Sequence, residues 1–183
     1  MVKLTKIYTK TGDKGKTSLA TGIRLDKCDD YFNAIGDVDE LNSHIGMIFS
    51  YTDDEKIKEA LCRIQNDLFD IGADLATPID QVLEIRIKKM QHIFLDQLID
   101  FYNEELPALN SFVMPRGSIL VSQIHIARAV CRRAERSCVC LKRKHSINDD
   151  VVIYLNRLSD LMFVLSRFVT KMEEELWKPA LYQ

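Results

Sequence analysis

The densest chemistry in the sequence lies in HIARAVCRRAERSCVC, residues 125 to 140. Arg128, Arg132 and Glu135 recur there at i, i+4, i+7, which on a helix makes one stripe beside an apolar seam and leaves the charges half-buried. A guanidinium keeps its charge at any working pH and grips phosphate through a planar fork, so this stripe suits a polyphosphate. Glu135 would orient an arginine or accept a hydrogen bond from a hydroxyl. The same spacing also suits ordinary ion pairs, such as Arg132 with Glu135, within the helix or between subunits.

A second anion-handling stretch is YTKTGDKGKTS, residues 8 to 18. Gly15-Lys16-Thr17 copies the tail of the phosphate loop G-x-x-x-x-G-K-S/T, but the first glycine of that pattern is replaced by Lys10. Such a loop also needs a buried strand before it and a helix directly after it, and LATGIRLDKCDD has no helical period. What remains is a segment rich in Gly, Thr and Lys, suited to anion contacts through backbone N–H groups and cations, or equally a solvated turn. In YLNRLSDLMF, Asn156 offers an amide that donates and accepts at once, with Phe163 seven residues on. Arg157 and Asp160 have the spacing of an ion pair. Phe112 precedes Pro115 in a loop, where an aromatic ring ordinarily anchors to a core.

Other chemistries lack support. None of His44, His92, His125 or His145 has a glutamate three residues before it, as a di-iron bundle requires. No local signature marks a Ser-His-Asp or Cys-His triad. The five cysteines, Cys28, Cys62, Cys131, Cys138 and Cys140, contain no C-x-x-C pair, so reduced thiols are expected. Cys138 and Cys140 with His145 lack an evident fourth metal ligand.

The elements that must position these residues are helices. Apolar residues alternate at four and three through Ala34, Val38, Leu41, Ile45, Ile48 and again through Ile57, Leu61, Ile64, Leu68, Ile71, Leu75. Thr52-x-x-Glu55 has the form of a capping box for the second of these. A weaker third pattern is Ile87, Met90, Phe94, Leu98, Phe101. The fourth runs Leu120, Ile124, Ala127, Cys131, Ala134, Cys138, Leu141, and the fifth runs Val151, Leu155, Leu158, Met162, Leu165, Val169, Met172, Leu176. Gly36, Gly46 and Gly72 fall inside helices at a cost of ~1 kcal/mol each relative to alanine, which predicts close approach of a neighbouring backbone. The spacing thus predicts one all-α domain over 1–183: an irregular arm over 1–30, a five-helix bundle over 31–177 and a tail over 178–183, with a long loop near 103–118.

Composition sets the outer limits. The 183 residues suffice for a core without disulfides or metals. With 25 basic and 27 acidic side chains the net charge is −2, which argues against a nucleic-acid partner. No apolar run reaches the ~18 residues of a membrane span, so a soluble cytoplasmic protein without a membrane partner is expected.

Six motifs resemble the PduO-type corrinoid adenosyltransferases: YTKTGDKGKTSL, GDVDELNSHIG, IQNDLFDIGADLATP, FVMPRGS, LVSQIHIARAVCRRAER and YLNRLSDLMFVLSR, in family order over nearly the whole chain. The resemblance implies a homotrimer of five-helix bundles in a ferritin-like arrangement. ATP would lie at the subunit interfaces, between the N-terminal loop of one subunit and the arginine helix of its neighbour. Thr9, Lys10, Thr11, Gly12, Asp13, Lys14, Gly15, Thr17 and Ser18 would wrap the triphosphate. Lys27, Arg132, Arg133, Glu135 and Arg136 would contact ATP, and Asn156 its sugar or phosphates. Asp39 would pair with Arg128 across the interface, and Phe112 would lie under the corrin ring and displace the lower cobalt ligand.

The implied reaction is attack of cob(I)alamin on the 5′ carbon of ATP with loss of triphosphate, with Mg²⁺ carried on the phosphates and Arg132 and Phe112 as the catalytic pair. An adenosylcobalamin-dependent acceptor enzyme is a further implied partner. Three departures from the family pattern stand out: Arg116 replaces a second glycine, Lys16 replaces a small or hydroxyl residue, and DKCDD is one residue longer than K-D-D, which bears on Lys27. The competing reading is a bundle that binds ATP and corrinoid without turnover, or delivers the cofactor.

Overall fold

The computed structural model describes residues 8, 10–171 and 173–180. Among them are five α-helices, α1 (Asp30–Tyr51), α2 (Glu55–Leu75), α3 (Lys89–Asn103), α4 (Ile119–Lys144) and α5 (Asp149–Val169), preceded by two short strands, β1 (Lys16–Ser18) and β2 (Arg24–Asp26). The strands are antiparallel, Thr17 opposite Leu25. Three residues each are too few to show alternation, so the arm predicted to be irregular carries a small hairpin.

Side-chain caps fix where four helices begin. Asp29, Asp54, Ser118 and Asn148 each accept a backbone N–H from the first turn of the helix that follows, satisfying donors that the helix leaves free. The second helix opens on Asp54, which accepts from Lys56 N and Ile57 N at 2.9 and 3.1 Å. Thr52, expected to cap it, instead ends α1. Asp54 is one residue from the helix, at the distance a short carboxylate can span.

Packing follows α2–α1–α4–α5–α3, each neighbouring pair in extensive contact. The predicted seams of α1 and α2 are buried throughout, as is that of α4 from Ile124 onward and that of α5 through Leu165. Each such Leu or Ile contributes about 1.5–3 kcal/mol by leaving water, which outweighs the glycine penalties in α1 and α2. Tyr154 of α5 reaches α2, donating to Asp67 Oδ2 at 3.1 Å inside this core.

Several expectations are corrected. In α3 the inward residues are His92, Leu95 and Tyr102, while Met90 and Phe101 are exposed. His92 faces Asp150 at 3.1 Å, so the seam of α3 contains a polar residue that an apolar pattern skips. Helix α5 ends at Val169, and Leu176 belongs to an extended segment bridging Val113; Met172 lies outside the described residues. Arg157 pairs with Asp96 of α3 at 2.8 Å instead of Asp160. No neighbour lies within 4 Å of a Cβ built on Gly36 or Gly72, and one on Gly46 would meet only the Gln65 amide at 3.2 Å. Gly36 and Gly72 instead line an open groove of about 370 Å³ between α1 and α2, with Asp39 and the 68% exposed Phe69.

Candidate active site

The C-terminal half of α4 alone lines an open cleft of about 380 Å³, through Arg132, Glu135, Arg136, Val139, Cys140 and Arg143. Three guanidiniums and one carboxylate make it cationic. Arg132 is exposed, and among the described residues its guanidinium pairs with no carboxylate. Arg136 donates to the Arg132 carbonyl at 3.0 Å, which holds its side chain along the helix. Glu135 accepts from Asn156 Nδ2 at 3.3 Å, and Asn156 Oδ1 accepts from Arg157 at 2.9 Å. Asn156 and Glu135 are therefore brought together at the cleft by packing of α5 on α4, as their places beside the two seams require.

Arg133 points elsewhere. Its Nε donates to Asp37 Oδ1 at 3.0 Å, and its guanidinium also pairs with Glu40, fastening α4 to α1. One residue of helix turns it ~100° from Arg132. Arg128 lies 5.3 Å from the Phe163 ring centroid, in cation–π range. Burial and then the Arg132 charge lower its pKa, with Asp160 opposing, but a guanidinium remains ionised. Asp39 is exposed on α1 and makes no ion pair with Arg128 within the chain. Burial pushes the thiols of Cys131 and Cys138 up, Cys138 to about 12, so neither is a thiolate nucleophile.

The arm is organised by its own hairpin. Gly15 N donates to Gly12 O at 3.1 Å, Lys27 N to Gly15 O at 2.8 Å and Arg24 to Thr11 O at 2.8 Å. Gly15 has φ 78, a left-handed conformation that glycine adopts freely. A Cβ on Gly12 would sit 3.2 Å from Lys27 Nζ, so the bare backbone lets that ammonium lie over the loop. Lys10, Thr11, Asp13, Lys14 and Ser18 are exposed and Thr17 half-buried, while Thr9 lies outside the described residues. The strands contact chiefly each other, and no described residue of the arm lines the arginine cleft of its own chain.

Phe112 is 78% exposed and is not the core anchor its loop setting suggested. Its carbonyl accepts from Trp177 N at 2.7 Å, and the two rings lie 6.1 Å apart. Val113 bridges Leu176, and Arg116 pairs with Glu175. This strap over residues 173–177 escaped the sequence reading. Its one available signal was Arg167, a charge within an otherwise apolar stretch of helix five, which turns out to be 5% exposed and paired with Glu174. No group of three or more His, Cys, Asp or Glu side chains suited to a metal ion occurs among the described residues.

Comparison with known proteins gives one answer. Residues 7–169 match the family model for cobalamin adenosyltransferase. A corrinoid adenosyltransferase of Mycobacterium leprae is 44% identical, with 98% of each chain covered. A human corrinoid adenosyltransferase is 41% identical over 93% of this chain and 71% of its own. Among solved structures, a variant PduO-type ATP:corrinoid adenosyltransferase from Lactobacillus reuteri, complexed with cobalamin and ATP, superposes with TM-score 0.89 at 40% identity, covering 94% of this chain and 99% of that one. By the family model that spans residues 7–169, and by relatives 40–45% identical over nearly its whole length, the chain belongs to the cobalamin adenosyltransferase family.

Proposed function

We propose that the protein transfers the 5′-deoxyadenosyl group of ATP to the cobalt of cob(I)alamin, releasing triphosphate and forming adenosylcobalamin. The observation that carries this reading is the α4 cleft, where Arg132, paired with no carboxylate among the described residues, stands beside Arg136 and Arg143, with Glu135 and Asn156 bonded at its edge. In this chemistry the reduced corrinoid is the nucleophile and triphosphate the leaving group, so no protein acid or base is needed. The protein aligns two substrates and neutralises charge that grows on the phosphates.

Arg132 and Arg136 take the triphosphate together with Lys27 and the loop Thr9–Ser18 of another subunit. Asn156, its amide oriented by Glu135 and Arg157, meets the sugar. Arg133 reaches the nucleotide only by leaving Asp37 and Glu40, so its part in this reading is to hold α4 in place. Mg²⁺ enters on the phosphates, for which the described residues need supply no ligand cluster. The exposed Phe112 packs beneath the corrin and excludes the lower ligand, leaving a cobalt(II) state that is easier to reduce.

Two observations support assembly as a trimer with the site at its interfaces. No described residue of the arm lines the α4 cleft of its own chain, and the α1–α2 groove with Gly36, Gly72 and Asp39 can receive a neighbour's helix bearing Arg128. Work in the reducing cytoplasm suits five free cysteines, three of them exposed. The product would pass to an adenosylcobalamin-dependent enzyme. Incubation with ATP, Mg²⁺ and chemically reduced cobalamin should give adenosylcobalamin and triphosphate in equal amounts; ATP binding with neither product would refute the assignment.

A further inference from the structure

Arg167, in the last turn of α5, and Glu174 form a buried ion pair, their side chains 6% and 7% exposed and 2.7 Å apart. A second guanidinium nitrogen of Arg167 donates to the Pro107 carbonyl at 2.8 Å, while Glu174 Oε2 has no hydrogen-bond partner. Taking two charges out of water is unfavourable, and an apolar pair of similar volume often holds a fold equally well. What the charged pair adds is position. It ties three segments to one point: the end of α5, the start of the α3–α4 loop, and the strap.

The strap then carries that position to Phe112. Met114 N donates to Glu175 O at 2.8 Å, Trp177 N to Phe112 O at 2.7 Å, and Ser111 Oγ to Trp177 O at 2.7 Å, with Arg116 paired to Glu175. Among the described residues, every hydrogen bond or ion pair that leaves residues 108–116 ends on this strap. We infer that Arg167 and Glu174 are positioning residues that hold Phe112 at the corrin by clamping the strap. The inference rests on the role proposed above for Phe112.

The test uses the full-length chain with MgATP and cob(II)alamin. Electron paramagnetic resonance reads the fraction of cobalt that has lost its lower nitrogen ligand, and acrylamide quenching of Trp177, the only tryptophan, reads strap docking. Glu174→Gln should raise quenching and cut the ligand-free fraction about tenfold, the equilibrium shift that losing one hydrogen bond between charged groups produces. ATP affinity should stay as in the parent protein. The pair Arg167→Met with Glu174→Leu should recover the melting temperature and leave the ligand-free fraction low. The inference is overturned if Glu174→Gln alters neither signal, if it frees the strap without changing the cobalt signal, or if the apolar pair restores the cobalt signal along with stability. Identical cobalt spectra for the parent and Phe112→Ala would instead overturn the Phe112 reading, and quenching would still decide whether the pair clamps the strap.

Discussion

Arg132 and Arg133 are adjacent in sequence and should fail in opposite ways when replaced by alanine. Arg133 is half-exposed, bonded to the partly buried Asp37 and paired with Glu40. Among the described residues, its loss leaves Asp37 only Ser137 as a side-chain donor. Exposed pairs contribute about 0.2–1 kcal/mol and a hydrogen bond to a charged group about 1.5–3, so with solvent screening Arg133→Ala should cost roughly 1–1.5 kcal/mol. For a chain of this size that lowers the melting temperature by about 2–6 °C. Among the described residues Arg132 has no carboxylate partner to lose, so Arg132→Ala should move stability by less than about 0.5 kcal/mol. Its cost falls on turnover: one charge-stabilising donor in a reaction site is worth about 10²–10³ in kcat. Differential scanning fluorimetry and the adenosylation assay, run on both variants, separate the two effects. Normal kinetics for Arg132→Ala, or abolished turnover with unshifted melting for Arg133→Ala, would refute the division of labour between them.

Phe112→Ala should slow adenosylation that starts from cobalt(II) far more than adenosylation of preformed cobalt(I), and equal losses in parallel assays would contradict ligand displacement. Asp67 is buried and desolvation raises its pKa, although the Tyr154 hydroxyl and Arg63 oppose the rise. A carboxyl with a raised folded pKa binds protons more readily folded than unfolded, so its contribution to stability falls as pH climbs from the ordinary aspartate range through the raised value, and stays low above it. Asp67→Asn should therefore raise the melting temperature at pH 7 by more than at pH 4, and a larger gain at pH 4 would contradict that sign.

Helical periodicity exposed most of the bundle because four seams are uninterrupted apolar rows. It misread α3, where His92 occupies an inward position and Met90 and Phe101 keep the spacing while facing solvent. It overran α5 because Leu176 falls on the right count by coincidence, and nothing in spacing alone marks a chain reversal after Val169. The arginine stripe was legible because helical geometry fixes which residues share a face. That Arg133 turns to α1 was not, since its partners Asp37 and Glu40 are some 95 residues away in sequence and only packing brings them near. The partner of Arg157 was lost for the same reason. Likewise, a loop phenylalanine says nothing about exposure until the strap that lifts it is seen.

An arginine cleft lined by no described residue of its own chain's arm carries a consequence for genetics. If each reaction centre joins the arm of one copy to the helix of the next, a lesion in the arm and a lesion in the helix need not be silent partners when they occur in different copies. Mixed at equal amounts and reassembled, two individually dead proteins would create intact junctions at about one in four, by random placement around a closed ring. Heteroallelic strains would then grow where either homozygote fails.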